Sequence, residues 1–162
     1  MKYLLLFLSA LLLFTVSCSD DESQTCTNDG KKVKCTLSGS GINYDFESWS
    51  LSVNDSNIQG IRTITIVAKS KTSDCSTEYE IMMKREDFNY DKSNYDLDEA
   101  YVKKTTDGTS QEFKKLVSGT ISGYYDEAVE DQRYFNFEFE VENDGGDKVS
   151  VTGGTIDDSP ND

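Results

Sequence analysis

Histidine is missing from this chain altogether. Its absence removes the usual general base near neutral pH, the Ser–His and Cys–His nucleophile pairs, and most zinc sites. Proline occurs once, while tyrosine, phenylalanine, threonine and valine are plentiful, a balance that suits strands better than helices. Cations are scarce: 16 lysines and arginines stand against 30 aspartates and glutamates, for a formal charge of −14. Such a surface repels phosphates and anionic headgroups, which excludes nucleic acid as a partner. Gly-x-Ser-x-Gly is absent, and no serine is followed three residues on by lysine. Gly39-Ser40-Gly41 does not extend to a dinucleotide motif, and no Gly-x-x-x-x-Gly-Lys occurs, so no cofactor is expected.

Long apolar runs are also lacking. The longest, Tyr3 to Val16, falls short of the roughly 20 residues of a transmembrane span. It follows Lys2 and closes on the small Ser17 just before Cys18. A basic start, a short apolar centre and a small residue before the cut are the layout of a secretory signal peptide. The tetrad Thr15-Val16-Ser17-Cys18 resembles a bacterial lipobox, which implies cleavage after residue 17 and acylation of Cys18. Two or more acyl chains make anchoring stable, at about 0.8 kcal/mol per buried CH₂. The expected membrane contact is therefore the lipid alone. Ser19-Asp20-Asp21-Glu22 is similar to the acidic export tag of Bacteroidota surface lipoproteins. That likeness implies a place on the outer face of the outer membrane, with the periplasmic face as the alternative.

The expected organisation is a leader over 1–17, a lipidated cysteine and acidic tether over 18–31, one domain over 32–157, and a polar tail over 158–162. Loss of Lys2 with the leader makes the mature chain one unit more negative. With Cys18 assigned to the lipid, three cysteines remain in a compartment that permits disulfides. Asn28-Asp29-Gly30-Lys31 reads as a tight turn, and a hairpin about it would set Cys26 opposite Cys35. That pairing is the one expected; Cys35–Cys75, Cys26–Cys75 and no bridge are its alternatives.

From Val33 onward, strand-like segments alternate with turn signals. Within Ile42 to Val53 the phase slips: Ile42, Tyr44 and Phe46 are even, Trp49, Leu51 and Val53 odd. A β-bulge near Glu47–Ser48 would absorb the extra residue, and Trp49 is expected in the core. Asn54 to Asn57 reads as a turn, Ile61 to Lys69 as a strand, and Tyr79, Ile81 and Met83 as one buried face. Glu86 to Tyr101 reads as a long connection with a short extended piece at Tyr95–Leu97. Thr106 to Thr109 is a turn, Glu112 to Tyr124 one strand, and Tyr125 to Asp131 an acidic loop. The clearest alternation is last: Phe135, Phe137, Phe139 and Val141 against Asn136, Glu138, Glu140 and Glu142, which predicts a central half-buried strand. Asn143 to Asp147 is a hairpin turn, and Gly153-Gly154 is expected to break the return strand. An all-β domain follows, an antiparallel β-sandwich or small β-barrel of about seven strands.

Gly41, Trp49, Tyr95-Asp96-Leu97, Tyr101 and the hairpin Phe135–Ile156 with Val149-Ser150-Val151-Thr152-Gly153-Gly154 stand in an order that resembles a family of small Bacteroidota lipoproteins of unknown function. Where that family has Gly-Thr-Phe entering its penultimate strand, this chain has Arg133-Tyr134-Phe135. The resemblance implies fold and location only.

Little chemistry is legible. Glu138, Glu140 and Glu142 share one strand face about 6.8 Å apart in succession, a spacing open to acid–base work on a glycoside or to calcium. The simpler reading is the wet side of a strand. Asn94, Asp96 and Asp98 begin like a calcium loop, but Glu99 and Thr105 stand where Gly and Glu are required. No metal site and no catalytic residue are assigned. The rings between Phe88 and Tyr101 suit either burial or stacking on a sugar or peptide. The expected function is a non-enzymatic, lipid-anchored β-domain with a binding or structural role and a glycan or protein ligand. The alternative is a carboxylate-dependent hydrolase acting on extracellular glycan.

Overall fold

A computed structural model describes residues 32–125 and 132–158. The expected leader, the lipidation site Cys18, Cys26 and the tether lie outside the described residues, as does most of the acidic loop. The described chain is all-β, in two antiparallel sheets. It forms eleven strands rather than about seven: β1 Val33–Gly39, β2 Ile42–Glu47, β3 Ser50–Ile58, β4 Ile61–Lys71, β5 Thr77–Arg85, β6 Tyr95–Asp96, β7 Glu99–Thr106, β8 Thr109–Phe113, β9 Lys115–Tyr125, β10 Arg133–Glu142 and β11 Lys148–Asp158. The first sheet has the order β2-β1-β11-β10-β9-β6 and the second β3-β4-β5-β7-β8. Both sheets keep two edges among the described residues, so neither closes into a barrel.

The larger strand count has a local cause. The phase slip near Ser48 is not a bulge but a corner. The chain leaves the first sheet at Glu47 and enters the second at Ser50. Ser48 is almost fully buried there. Its N–H donates to the Val33 carbonyl at 3.0 Å, and its hydroxyl accepts from the Val33 N–H at 3.0 Å. Ser70 braces the same corner from the second sheet, donating to the Glu47 carbonyl at 2.6 Å. Trp49 then points outward, 41% exposed, beneath the Lys71 ammonium at 5.2 Å, not into the core. A second corner at Lys114 splits the expected strand Glu112–Tyr124 into β8 and β9, one in each sheet.

Asn54 to Asn57 lies within β3. The turn comes later, at Gln59-Gly60, where both residues have positive φ and Ile58 pairs with Ile61. Ser40-Gly41 and Asp107-Gly108 make the same two-residue hairpin, whose handedness matches strand twist.

One core fills the space between the sheets. Phe135, Phe137, Phe139 and Val141 of β10 face Ile64, Ile66, Ile81, Met83 and Val102 of the second sheet, all buried. β10 is paired on both sides, as its alternation predicted. Gly153-Gly154 does not end β11. The strand runs on to Asp158 through a bulge, where Phe137 pairs with Gly154 and Phe139 with Val151. The Phe137 ring lies over Gly154, whose added Cβ would meet ring carbons at 2.4–2.6 Å.

The expected Cys26–Cys35 bridge is not formed. Cys35 is a free, buried thiol, and Cys75 is the disulfide-bonded cysteine. β1 is flanked by β2 and β11, so no edge remains for a strand carrying Cys26, and Cys35 alternates inward with Val33 and Leu37.

Candidate functional site

Three strands of the first sheet, β9, β10 and β11, build a site-like surface. Their inward positions are Ile121, Phe137, Phe139, Val151 and Ile156, all buried. Alternation then sends the neighbouring residues to the outer face. There Asn136 stands opposite Ser122, Glu138 opposite Thr120, and Glu140 between Ser118 and Ser150. Two adjoining hollows lie along this face. One, of about 310 Å³, is lined by Asn94, Thr120, Asn136, Glu138, Gly153 and Thr155, among others. The other, of about 240 Å³, shares Thr120 and Glu138 and adds Ser118, Glu140, Ser150 and Thr152. Phe137, Phe139 and Val151 border them from below, and together the hollows make a trough along the strands whose outward side chains are hydroxyls, carboxamides and carboxylates.

The bulge in β11 shapes it. Gly153 adopts φ +63 and has nothing within 4 Å of where a Cβ would stand. The floor beside Thr155 is therefore backbone. At one end of the trough Tyr134, two positions before Asn136, stacks on Tyr124 at 5.2 Å and 21°. Lys92 lies over the Tyr124 ring at 4.8 Å, and Gln132 donates to the Tyr134 hydroxyl and, at 3.2 Å, to Asp157.

The three glutamates expected on one face are there, but they are not equivalent. Lys148 donates to Glu140 at 2.7 Å, and Ser150 does so at 3.3 Å. The Lys148 hydrogen bond, against a smaller opposing effect of desolvation, holds the Glu140 carboxyl below its ordinary value. Glu142 is bonded by Lys115. Glu138 is exposed at the junction of the two hollows. A glycosidase acid needs a raised carboxyl in a dry pocket; Glu140 is shifted the other way on an open face.

The remaining candidates are structural. Phe88 and Leu97 are buried, and Tyr90 and Tyr95 pack on Phe88 at 5.2 Å, so the aromatic connection plugs one end of the core. Asp55 binds that plug to both sheets. It accepts from the Tyr90 hydroxyl at 2.9 Å and lies 3.4 Å from Arg62 and 3.7 Å from Arg133. The Asn143 side-chain oxygen accepts from the Gly145 and Asp147 N–H groups at 2.9 Å, which makes this loop a self-satisfied turn. Among the described residues no group of three or more His, Cys, Asp or Glu could hold a metal ion, and no helix is long and apolar enough to cross a membrane.

The outer face of the second sheet differs. Lys69, Glu80, Lys103 and Glu112 stand in one cross-strand row of alternating sign. Lys69 meets Glu80 at 2.8 Å and Lys103 meets Glu112 at 3.8 Å. Its charges satisfy one another, whereas the trough offers hydroxyl and carboxamide groups. Sequence reading found Glu138 and Glu140 but not Asn136, Thr120, Ser118 and Thr155. The pattern Ser118-x-Thr120-x-Ser122 was available, yet its inward partners Gly119 and Gly123 hid the alternation. No protein-family model, no curated protein and no solved structure matches this chain.

Proposed function

We propose that this is a lipid-anchored envelope protein whose two-sheet domain, a β-sandwich, binds a ligand without catalysis. In this reading the mature chain starts at Cys18, acyl chains hold it at the outer membrane, and the domain faces the cell exterior. The lipobox-like Thr15-Val16-Ser17-Cys18 and the acidic run behind it support the address. Cys75 is disulfide-bonded while Cys35 is free; with Cys18 acylated, Cys26 is the partner that remains for it.

The observation that carries the binding role is the polar trough on β9–β11. Two adjoining hollows that share Thr120 and Glu138 lie along it, and each approaches or reaches the small end of the volumes that ligand sites have. The hydrolase alternative has less support. Lys148 holds the Glu140 carboxyl below its ordinary value, and Glu138 lies on an open face, so neither of these two has the dry pocket a glycosidase acid needs.

The test uses full-length protein extracted from membranes in detergent. It is applied to carbohydrate and peptide arrays, with released reducing sugar assayed in parallel. Retention of a ligand without product is the expected result. Release of sugar that Glu138→Gln abolishes would replace this reading with the hydrolase.

A further inference from the structure

Resting on the binding role just described, we infer that the trough takes a neutral, linear oligosaccharide lying along the strands of β9–β11. Asn136 and Asn94 donate and accept through one side chain, and Thr120, Ser118 and Thr155 do the same through a hydroxyl. Groups that both give and receive hydrogen bonds match the hydroxyls of a sugar, which do likewise. A phosphate, sulfate or uronate would need donors alone. The hollows contain no lysine or arginine among their lining, and Glu138 and Glu140 would repel an anion. The nearby Lys148 is committed to Glu140.

A peptide or lipid would need apolar anchors. Most binding energy in protein interfaces comes from a few large side chains seated in dry pockets. The outward side chains here are Ser, Thr, Asn and Glu; Phe137, Phe139 and Val151 also border the hollows, but they are buried and leave little apolar side chain to anchor a partner. The ring surface at this face is Tyr134 with Tyr124, at one end.

Shape adds a length. From Tyr134 to Glu140 the strand covers roughly 20 Å, so the ligand is an extended chain rather than a single sugar. Gly153 opens the middle of this track. The space beside it is empty, and asparagine tolerates a positive φ better than most side chains, so Gly153→Asn would set a carboxamide at the trough at some cost in backbone strain.

The experiment is affinity electrophoresis of the full-length, detergent-solubilised protein. Native gels contain amylose, mixed-linkage β-glucan, galactomannan or xyloglucan, with polygalacturonate and heparin as anionic probes. At least one neutral polysaccharide should retard the protein. Gly153→Asn and Asn136→Ala should each weaken that retardation about tenfold, equivalent to roughly 1.4 kcal/mol. Thr63→Ala, on the outer face of the second sheet, should leave it unchanged. A single cooperative thermal transition in each variant, with a modest drop in midpoint for the strained Gly153→Asn, shows that the variants are folded. Retardation by the anionic probes alone, or retardation by a neutral glycan that neither trough variant weakens, overturns this inference and leaves the binding role standing. Binding of array peptides with no polysaccharide retardation does the same. Failure of every probe overturns both.

Discussion

Cys35 shows how one residue's surroundings decide its chemistry. It lies on the inward face of β1 between the fully buried Val33 and Leu37, two positions to either side, and desolvation pushes its thiol up to about 12. The thiolate, which is the reactive form, is then negligible at neutral pH. Iodoacetamide should leave Cys35 unmodified in the native protein and alkylate it after guanidinium unfolding; rapid native labelling would contradict its placement. Glu80 is the complementary case. Burial alone would raise its carboxyl, but hydrogen bonds from Lys69 and Tyr101 outweigh that and hold it below the ordinary 4.5. A depressed carboxyl stabilises the fold above its unfolded value, and the contribution is lost as pH falls through the lower folded one. Glu80→Gln should therefore cost about 0.5 kcal/mol near neutrality. It should also flatten the decline of the urea midpoint between pH 5 and pH 3. Parallel declines in both proteins would show that the Lys69–Glu80–Tyr101 contacts do not contribute.

Among the elements, the pairing of β10 with β11 controls both core and trough. At the bulge, Phe137 packs on Gly154 while Gly153 opens the outer face. Gly154→Ala should destabilise by about 1–3 kcal/mol, because the methyl group must displace a packed ring. Phe137→Leu removes ring atoms from that spot, so the two changes together should cost less than their sum; strict additivity would contradict the contact. The same strands show what a sequence reveals. β10 was legible because four apolar and four polar residues alternate without interruption and both its neighbours pair with it. β7 was not: its inward side has only Ala100 and Val102, with Lys103 and Lys104 beside them. The corners at Ser48 and Lys114 were hidden for another reason. A strand that changes sheets keeps its strand-like composition, and only the phase of the alternation moves. The Gly153-Gly154 pair looks like a break, because nothing local in a glycine pair distinguishes a bulge from a turn. The trough was half visible, through its glutamates, since its hydroxyls belong to β9, whose inward positions include two glycines.

For the whole molecule, the account joins an address to a surface. The acidic balance works against contact with nucleic acid and anionic headgroups, and in the proposed reading the acyl chains supply the membrane contact. The two outer faces then have separate characters, one a paired charge ladder and the other an open polar track. The disulfide at Cys75 links the two halves of the proposal, because the cysteine it uses cannot also bear lipid. A non-reducing peptide mass map of protein isolated from the membrane fraction of its native cells tests all of this at once. It should show an N-terminal peptide that begins at Cys18 and carries acyl mass, Cys26 linked to Cys75, and Cys35 unlinked. A retained leader, or Cys18 found in the bridge to Cys75, would contradict the account.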